Sequence, residues 1–374
     1  MGGAEARRRV AARAAQGGPP AGGPAPADGD FPQWSDVGWL PPLEQGVDDA
    51  LPSTPEDAEV DLDAPPPASG TQTIPLFPLG SQPYMPYSQQ VLNIFEPRYR
   101  ALYDDILLNG SRRFAVPLVR PKDDDVLGGG SLQLADTAPV FYLESLKEVS
   151  EQTNDSVKYV CVHQVMDQRV RLKKVLNPSR WFDRSTYLVA EYEPCEDTDD
   201  AEDLADEEAR VASMWNEVHD LQARSEEEVR LAAGVCGDSV TMSRGGETGG
   251  LWRSLSVWYE LITQRCSRKQ SAVEDRIQEI LRAHFEGEGA GSGDSTPRSV
   301  RLSDLPEKVR SDIFRVQQEY QDEVPDEIQA LIRNFSYMAT ADSHASRLRV
   351  FSQVLDSERR RLAARASLKS LFES

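Results

Sequence analysis

The chain of 374 residues contains only four cysteines, and no two of them form a Cys-x-x-Cys pair. This spacing excludes zinc fingers and RING modules. So few thiols in so long a chain are typical of a reducing compartment, in which a cysteine packs as a small apolar residue. We therefore predict structural roles for all four, which are Cys161, Cys195, Cys236 and Cys266.

Long hydrophobic runs are lacking as well. Apolar residues make up 39% of the chain, and 25 glycines and 25 prolines interrupt it. The stretch that begins at Ile74 ends at Gly80, far short of the ~18 to 20 apolar residues that a membrane helix requires. We predict a soluble protein in which only part of the chain forms a core.

Positive charge is scarce. The 41 Lys and Arg residues face 62 Asp and Glu residues, which gives a net charge of −21 and a pI of about 4.7. An acidic surface repels phosphate groups, so this balance disfavours nucleic acids and anionic membranes as partners.

Catalytic motifs are absent too. The glycine-rich Gly128-Gly-Gly-Ser131 lacks the lysine of a phosphate-binding loop, and no Gly-x-Ser-x-Gly motif occurs. Cys161 and His163 would share one face of a strand, but such a face more often points into a core. We predict that the protein is not an enzyme and holds no cofactor or metal. The alternative left open is a cryptic hydrolase that uses Cys161 or Cys236.

The composition divides the chain into three parts. Residues 1–72 are rich in Ala, Gly, Pro and acidic residues and are predicted to be a disordered leader. Their arginine-rich start suits a transit peptide, although a plain leader fits almost equally well. An apolar cluster inside this leader would either dock onto a partner or pack back onto the chain. Its members are Phe31, Trp34, Val37, Trp39 and Leu40.

Residues 73–195 alternate in the manner of short strands. One amphipathic helix interrupts them, with Tyr99, Leu102, Tyr103, Ile106 and Leu107 along one face. Short strands around one helix predict a small closed or half-closed sheet. The predicted strands are 74–79, 91–95, 114–119, 140–149, 157–165, 169–176 and 187–192.

Residues 196–374 change to a helical period. Between Glu196 and Glu228 there are 14 acidic residues and two basic ones, whereas the last helix, 343–374, carries seven basic residues and three acidic ones. We expect attraction between these two stretches to orient the last helix, with a small contribution from each exposed pair. The predicted fold class is α+β, with a β-rich part followed by a helical bundle.

Two motifs resemble the amino-terminal, substrate-binding domain of the Lon protease family. They are Ile74-Pro-Leu-Phe-Pro-Leu-Gly80 and Leu92-Asn-Ile-Phe-Glu-Pro-Arg-Tyr-Arg100. The segments Arg112-Arg-Phe-Ala-Val116 and Gln168-Arg-Val-Arg171 follow in the family order, although the second lacks the glycine that usually opens that motif. The end of the chain, 357–372, resembles the last helix of the stand-alone Lon-domain proteins of cyanobacteria and plastid-bearing eukaryotes.

This resemblance implies a PUA-like β pseudo-barrel followed by helices, without the ATPase and peptidase domains of a full Lon protease. It implies a non-catalytic module that binds unfolded or exposed apolar protein segments, as an adaptor for a separate protease or chaperone in protein quality control. The alternative is RNA binding, which some PUA-like folds perform. The resemblance also favours the chloroplast over the cytoplasm or the mitochondrion, and leaves the oligomeric state open.

Five residues are candidates for peptide contact. Tyr84, Met85 and Tyr87 lie in a loop before the second strand, where they would be exposed or would cap the barrel. Arg98 and Tyr99 belong to the Phe-Glu-Pro-Arg-Tyr motif. The start of a helix explains most of that motif without a ligand, because proline and glutamate are favoured there.

Overall fold

The computed structural model describes residues 30–44, 48–49, 72–120, 132–199, 204–237, 240–245, 249–287 and 305–372. The chain forms two compact units. The first, the barrel unit, runs to Asp199 and also includes Ser336–Ser346, and the second, the helical unit, comprises Asp200–Phe335 and Arg347–Ser374. The expected boundary near 195 is thus close, but the return of 336–346 to the first unit was not expected.

Besides the short 3-10 helix Trp34–Asp36, the described residues of the barrel unit up to Asp199 contain nine regular elements, which match the predicted order of strands around one long helix. Two predicted strands, 157–165 and 169–176, merge into the single strand β5. The elements are β1 Thr73–Leu76, β2 Gln89–Ile94, α1 Pro97–Leu108, β3 Arg113–Ala115, β4 Thr137–Glu148, α2 Ser150–Thr153, β5 Tyr159–Val175, α3 Arg180–Asp183 and β6 Leu188–Cys195.

The six described strands form one sheet in the order β2-β5-β4-β3-β1-β6, and β5 also pairs with β6. Five strands therefore close into a ring, and β2 lies outside it. This arrangement depends on the 17 residues of β5, whose first half pairs with β2 and whose second half pairs with β6. Only β1 and β3 run parallel. The expected closed pseudo-barrel is confirmed.

The interior of the barrel unit consists of two apolar clusters. One joins β1, β6 and the second half of β5, with Leu76 and Ala190 at its centre. The other joins α1 to β4 and the first half of β5, where Phe114 and Phe141 lie fully buried. The predicted apolar face of α1 is confirmed for four of its five residues, whereas Leu107 is 38% exposed.

A segment of the predicted leader packs onto the barrel. Leu40 and Leu43 join the first apolar cluster, and their backbone N–H groups donate to the carbonyl oxygens of Leu134 (2.8 Å) and Leu132 (2.9 Å). Gly38 passes so close to Asp136 that a Cβ there would collide with the carboxylate. Val37, Leu40 and Leu43 are buried, whereas Phe31, Trp34 and Trp39 are half-buried. For residues 30–44 the expectation of an unpacked chain is therefore wrong, and packing back onto the chain is the alternative observed. Residues 1–29 lie outside the described part.

The helical unit is built from four helices, α4 Ala205–Arg224, α5 Gly250–Gly287, α6 Glu307–Thr340 and α7 His344–Phe372, of which α6 ends and α7 begins in the barrel unit. Its aromatic core joins Trp215, Trp258 and Phe351, with ring centroids 5.9 to 6.2 Å apart. The pattern of Ser271 and Glu274 matches the sequence of a capping box and predicts a helix start at Ser271. This prediction is wrong, since Ser271 lies inside α5. The predicted change to a helical period is confirmed.

Buried ion pairs connect these helices. The Glu358 side chain, only 4% exposed, accepts hydrogen bonds from Arg265 (3.0 Å), Arg361 (2.8 Å) and Gln222 (3.1 Å). Burial alone would raise the pKa of Glu358, but the hydrogen bond from Arg361 and the charge of Arg265 outweigh it and lower the pKa. Arg361 and Arg365 also pair with Glu227, so the predicted attraction between the acidic stretch and the last helix is present.

The turn between α6 and α7 is held by polar side chains of the barrel unit. Arg169, which is 4% exposed, donates to the carbonyl oxygens of Ala339 (3.2 Å) and Ala341 (2.5 Å) and to Asp197 (2.8 Å). The carboxylate of Asp199 accepts from the backbone N–H of His344 (3.1 Å) at the start of α7. The Ser343 hydroxyl accepts from the N–H of Ser346 (3.2 Å). The sequence predicts Asp342 as the cap of this helix, but Asp199 and Ser343 are the caps observed.

Candidate protein-binding surface

The loop before β2 does not present its three candidate residues equally. Met85 is only 4% exposed, so of the two alternatives for this residue, exposed contact and capping of the barrel, its burial fits the second. Tyr84 is half-buried and packs edge-on against Phe141, with 5.3 Å between ring centroids. Tyr87 is half-buried and has a left-handed backbone (φ 64°), and its N–H donates to the Val165 carbonyl oxygen. Contact roles for Tyr84 and Tyr87 stay predictions.

Arg98 and Tyr99 form part of the packing at the start of α1. The Nε atom of Arg98 donates to the Glu96 carboxylate at 2.8 Å, and the guanidinium lies 4.6 Å from the centre of the Tyr99 ring and 5.0 Å from that of Trp181. Burial raises the pKa of Tyr99 to about 12. Pro97 occupies the first turn of the helix, as predicted. This geometry favours the structural interpretation of both residues.

A polar cluster is buried between α1 and β5. The Tyr103 hydroxyl and His163 Nε2 are 2.7 Å apart, and Cys161 lies on the same inner face of β5 as His163; both are fully buried. Burial lowers the pKa of His163 to about 4 and raises the pKa of the Cys161 thiol to about 12. A nucleophilic cysteine needs a lowered pKa and access to substrate, so this cluster has the character of a core.

The exposed apolar side chains of the barrel unit lie elsewhere. Val91, in β2, is 61% exposed, and Phe95, directly after the strand, is 55% exposed. Side chains of a strand alternate between its faces, so these two odd-numbered residues lie on the same outer face. Val162 is directly opposite Val91 on β5, and Val160 is opposite Asn93. We call these four apolar residues, Val91, Phe95, Val160 and Val162, the β2 outer face. Sequence reasoning did not single them out.

A smaller apolar region lies at the end of α1. Leu107 is 38% exposed and Leu108 is 86% exposed, just before the Asn109-Gly110 helix end that the sequence predicts. No group of His, Cys, Asp or Glu residues within the described ranges could hold a metal ion. None of the described helices is long and apolar enough to cross a bilayer.

Comparison with known proteins identifies the family. A Lon N-terminal domain protein from Xanthomonas campestris is 25% identical, with a TM-score of 0.29 over 44% of this chain and 86% of that chain. The N-terminal domain of the Mycobacterium avium complex Lon protease is 10% identical, with a TM-score of 0.29 over 42% of this chain and 72% of that chain. No curated protein matches. The family model of the ATP-dependent protease La (LON) substrate-binding domain matches residues 73–305, and this chain belongs to that family.

Proposed function

We propose that this protein is a recognition module that binds exposed apolar segments of unfolded proteins through the β2 outer face. The observation that carries the proposal is the exposure of Val91 (61%) in β2 and of Phe95 (55%) directly after it, with Asn93 between them on the same face. Contiguous exposed apolar surface in a folded protein often marks an interaction site. Fully burying such side chains contributes about 1.5 to 3 kcal/mol each. The match to a substrate-binding family supports the same proposal.

The proposed role is that of a non-catalytic adaptor, which would pass a bound segment to a separate protease or chaperone in protein quality control. The burial of Cys161 and His163 supports this role, because neither side chain can reach a substrate in this conformation. We also retain the chloroplast as the proposed location.

RNA binding is the weaker candidate. Seven of the thirteen arginine and lysine side chains that the structure describes on the barrel are paired with carboxylates, which weakens the local positive field that phosphates require. These pairs are Arg98–Glu96, Lys158–Asp104, Arg169–Asp197, Arg171–Asp342, Lys173–Glu193, Lys174–Asp49 and Arg180–Asp183.

The test measures binding of the full chain to a permanently unfolded protein, such as a reduced and carboxymethylated one, by fluorescence anisotropy. The double variant Val91→Ser with Phe95→Ser should bind about tenfold more weakly or worse, since two apolar contacts are lost. The matched control is Leu107→Ser with Leu108→Ser, which removes two exposed apolar residues at the end of α1 and should leave the affinity unchanged. Equal affinity of wild type and the β2 variant would contradict the proposed surface.

A further inference from the structure

The edge of β2 that faces away from β5 is open in the described part of the chain. In the strand order β2 is terminal and pairs only with β5. The carbonyl oxygens of Ser88 and Ile94 accept hydrogen bonds from the N–H groups of Val165 and Lys158. Backbone polar groups of consecutive residues in a strand alternate between its two edges. The backbone N–H and C=O groups of Gln89, Val91 and Asn93 therefore point away from β5.

Among the described residues, this edge has none of the usual protection against strand pairing. Proteins commonly protect an edge strand with a charge, a proline, a bulge or a covering element. The seven residues from Gln89 to Phe95 contain no charged residue, no proline and no glycine. Gln89, Val91 and Asn93 are all exposed at this edge. An open, uncharged strand of this length is a template for an additional strand.

The charges around the edge select the kind of partner. Two exposed carboxylates from the neighbouring strands lie near the Gln89 end of β2. Glu144 of β4 accepts from the Gln89 side chain at 3.0 Å, and Asp167 of β5 accepts from the Tyr87 hydroxyl at 3.5 Å. A basic residue in the partner would therefore be attracted to this end of β2. A second copy of the chain is disfavoured, because each copy carries a net charge of −21.

We infer that an extended segment of a partner protein adds to the open edge of β2 as a further strand. The segment is uncharged over about six residues, has apolar side chains at alternate positions that cover Val91 and Phe95, and carries a Lys or Arg beside Gln89. Main-chain hydrogen bonds to the backbone of Gln89, Val91 and Asn93 hold it. This inference rests on the proposed function and specifies its substrate class.

A labelled peptide of alternating Val and Thr, with Lys at both ends, is the probe, so that either strand direction places a lysine beside Gln89. The first comparison uses wild-type protein and the same peptide methylated on the alternate backbone nitrogens that face β2. We expect the methylated peptide to bind about tenfold more weakly, since it cannot donate to the edge. A peptide with Glu in place of Lys should also bind more weakly, and the difference should shrink in high salt.

The second comparison changes the protein. Val91→Pro removes the N–H group that faces the open edge and leaves the pairing with β5 in place, because proline is tolerated at such positions. Affinity for the plain peptide should fall about tenfold. Val91→Thr is the matched comparison, because it keeps the branched shape and the N–H group and alters the side chain alone, so it should bind the peptide more tightly than Val91→Pro. Equal affinities of the two variants would contradict the inference. Circular dichroism establishes that both variants fold. The comparison of plain and methylated peptide uses wild-type protein only, so it tests the inference even if a variant does not fold.

The outcomes separate the inference from the proposed function. If wild type binds the unfolded protein but binds the plain and methylated peptides equally, the inference is wrong and the proposed function stands. If wild type binds the unfolded protein but not the peptide, the kind of segment that the inference specifies is wrong and the proposed function stands. If wild type binds neither, both fail. Sedimentation as a dimer that Val91→Pro dissociates would show that a second copy occupies the edge and would overturn the inference.

Discussion

The interiors of the two units are held together differently. Both core clusters of the barrel unit consist of aliphatic and aromatic residues with one cysteine, and the adjacent His163 is kept neutral by burial. A buried ion pair of this unit, Arg169–Asp197, binds the α6–α7 turn. In the helical unit an aromatic core is joined by a carboxylate, Glu358, that is 4% exposed and bonded to two arginines. Apolar packing is nondirectional, whereas each ion pair fixes which residues of two helices must meet.

This difference fits the lengths of the elements. The closed ring of short strands has its register set by backbone pairing, and a slip by one residue would turn its apolar side chains outward. A long helix such as α5, with 38 residues, repeats its apolar face at every turn and has a less unique register. Arg265, which connects α5 to Glu327 and Glu358, supplies the specific contact that the repeat lacks.

The largest expected effect comes from breaking that contact. Arg265→Met keeps most of the side-chain volume but leaves Glu358 and Glu327 with one basic partner fewer. Loss of one member of a buried pair costs about 3 to 5 kcal/mol, and we expect the helical unit to lose about 3 kcal/mol, measured by hydrogen exchange along α5. The control is Arg253→Met, an exposed residue of the same helix, which should cost less than about 0.5 kcal/mol. Equal costs would contradict the role of the pair.

The second prediction is that the stabilities of the two units depend differently on pH. His163 has a pKa of about 4 in the fold against an ordinary value of 6.5, so the unfolded chain binds a proton first as the pH falls. The stability of the barrel unit should therefore drop between pH 6.5 and 4, by up to ~3 kcal/mol. The pKa values of Glu327 and Glu358 are lowered below 4.5 in spite of their burial. Their stabilisation is present above 4.5 and is lost only as the pH falls through the lower folded values.

Hydrogen exchange of β5 and α5 at pH 7 and pH 5, corrected for intrinsic rates, checks this difference. Protection should weaken in β5 and hold in α5. In His163→Gln, where the titrating ring is absent, the slope of β5 protection between these pH values should disappear. A slope that persists in the variant would assign the pH dependence to another group.

The smallest expected effect concerns the exposed pairs of α7. Arg359 and Glu217 are 42% and 46% exposed and 3.3 Å apart, so Arg359→Gln should cost less than about 1 kcal/mol. Raising the salt concentration to ~1 M should remove most of this contribution. The same salt concentration should screen the pair of Arg365 with the nearly buried Glu227 less, so this pair should keep a larger share of its contribution to stability. Hydrogen exchange along α7 checks the order, and equal salt sensitivity of the two pairs would contradict it.

Local patterns predicted much of the fold. Strand alternation, the apolar face of α1 and its ends at Pro97 and Asn109 depend on neighbouring residues and were found where the structure has them. Local patterns could not predict the packing of residues 30–44, because the few apolar residues of this segment contact partners that are distant in sequence and come together only in the folded barrel. The capping of α7 by Asp199 was missed for the same reason: the two residues are brought together by the fold.

The candidate site was harder to predict than the fold. In β2 apolar residues occupy both faces, with Leu92 and Ile94 turned inward and Val91 and Phe95 turned outward. A period of two cannot show which set is buried when both sets are apolar. The aromatic loop that suggested a contact instead packs Met85 into the core. The exposed face of β2 becomes recognisable only in the folded sheet, where β2 lies outside the closed ring of five strands.

The hydrogen bonds from Arg169 to the α6–α7 turn limit where the protein can be cut into stable fragments. A fragment cut after Cys195 would bury a guanidinium without Asp197 and without the carbonyl oxygens of Ala339 and Ala341. The barrel is thus a discontinuous domain, and residues 200–335 are an insertion into it. The Thr198 N–H donates to the Asp342 carbonyl oxygen at 2.8 Å, so the two margins of the insertion lie side by side. A minimal recognition module could therefore be assembled by joining 199 to 336 through a short linker.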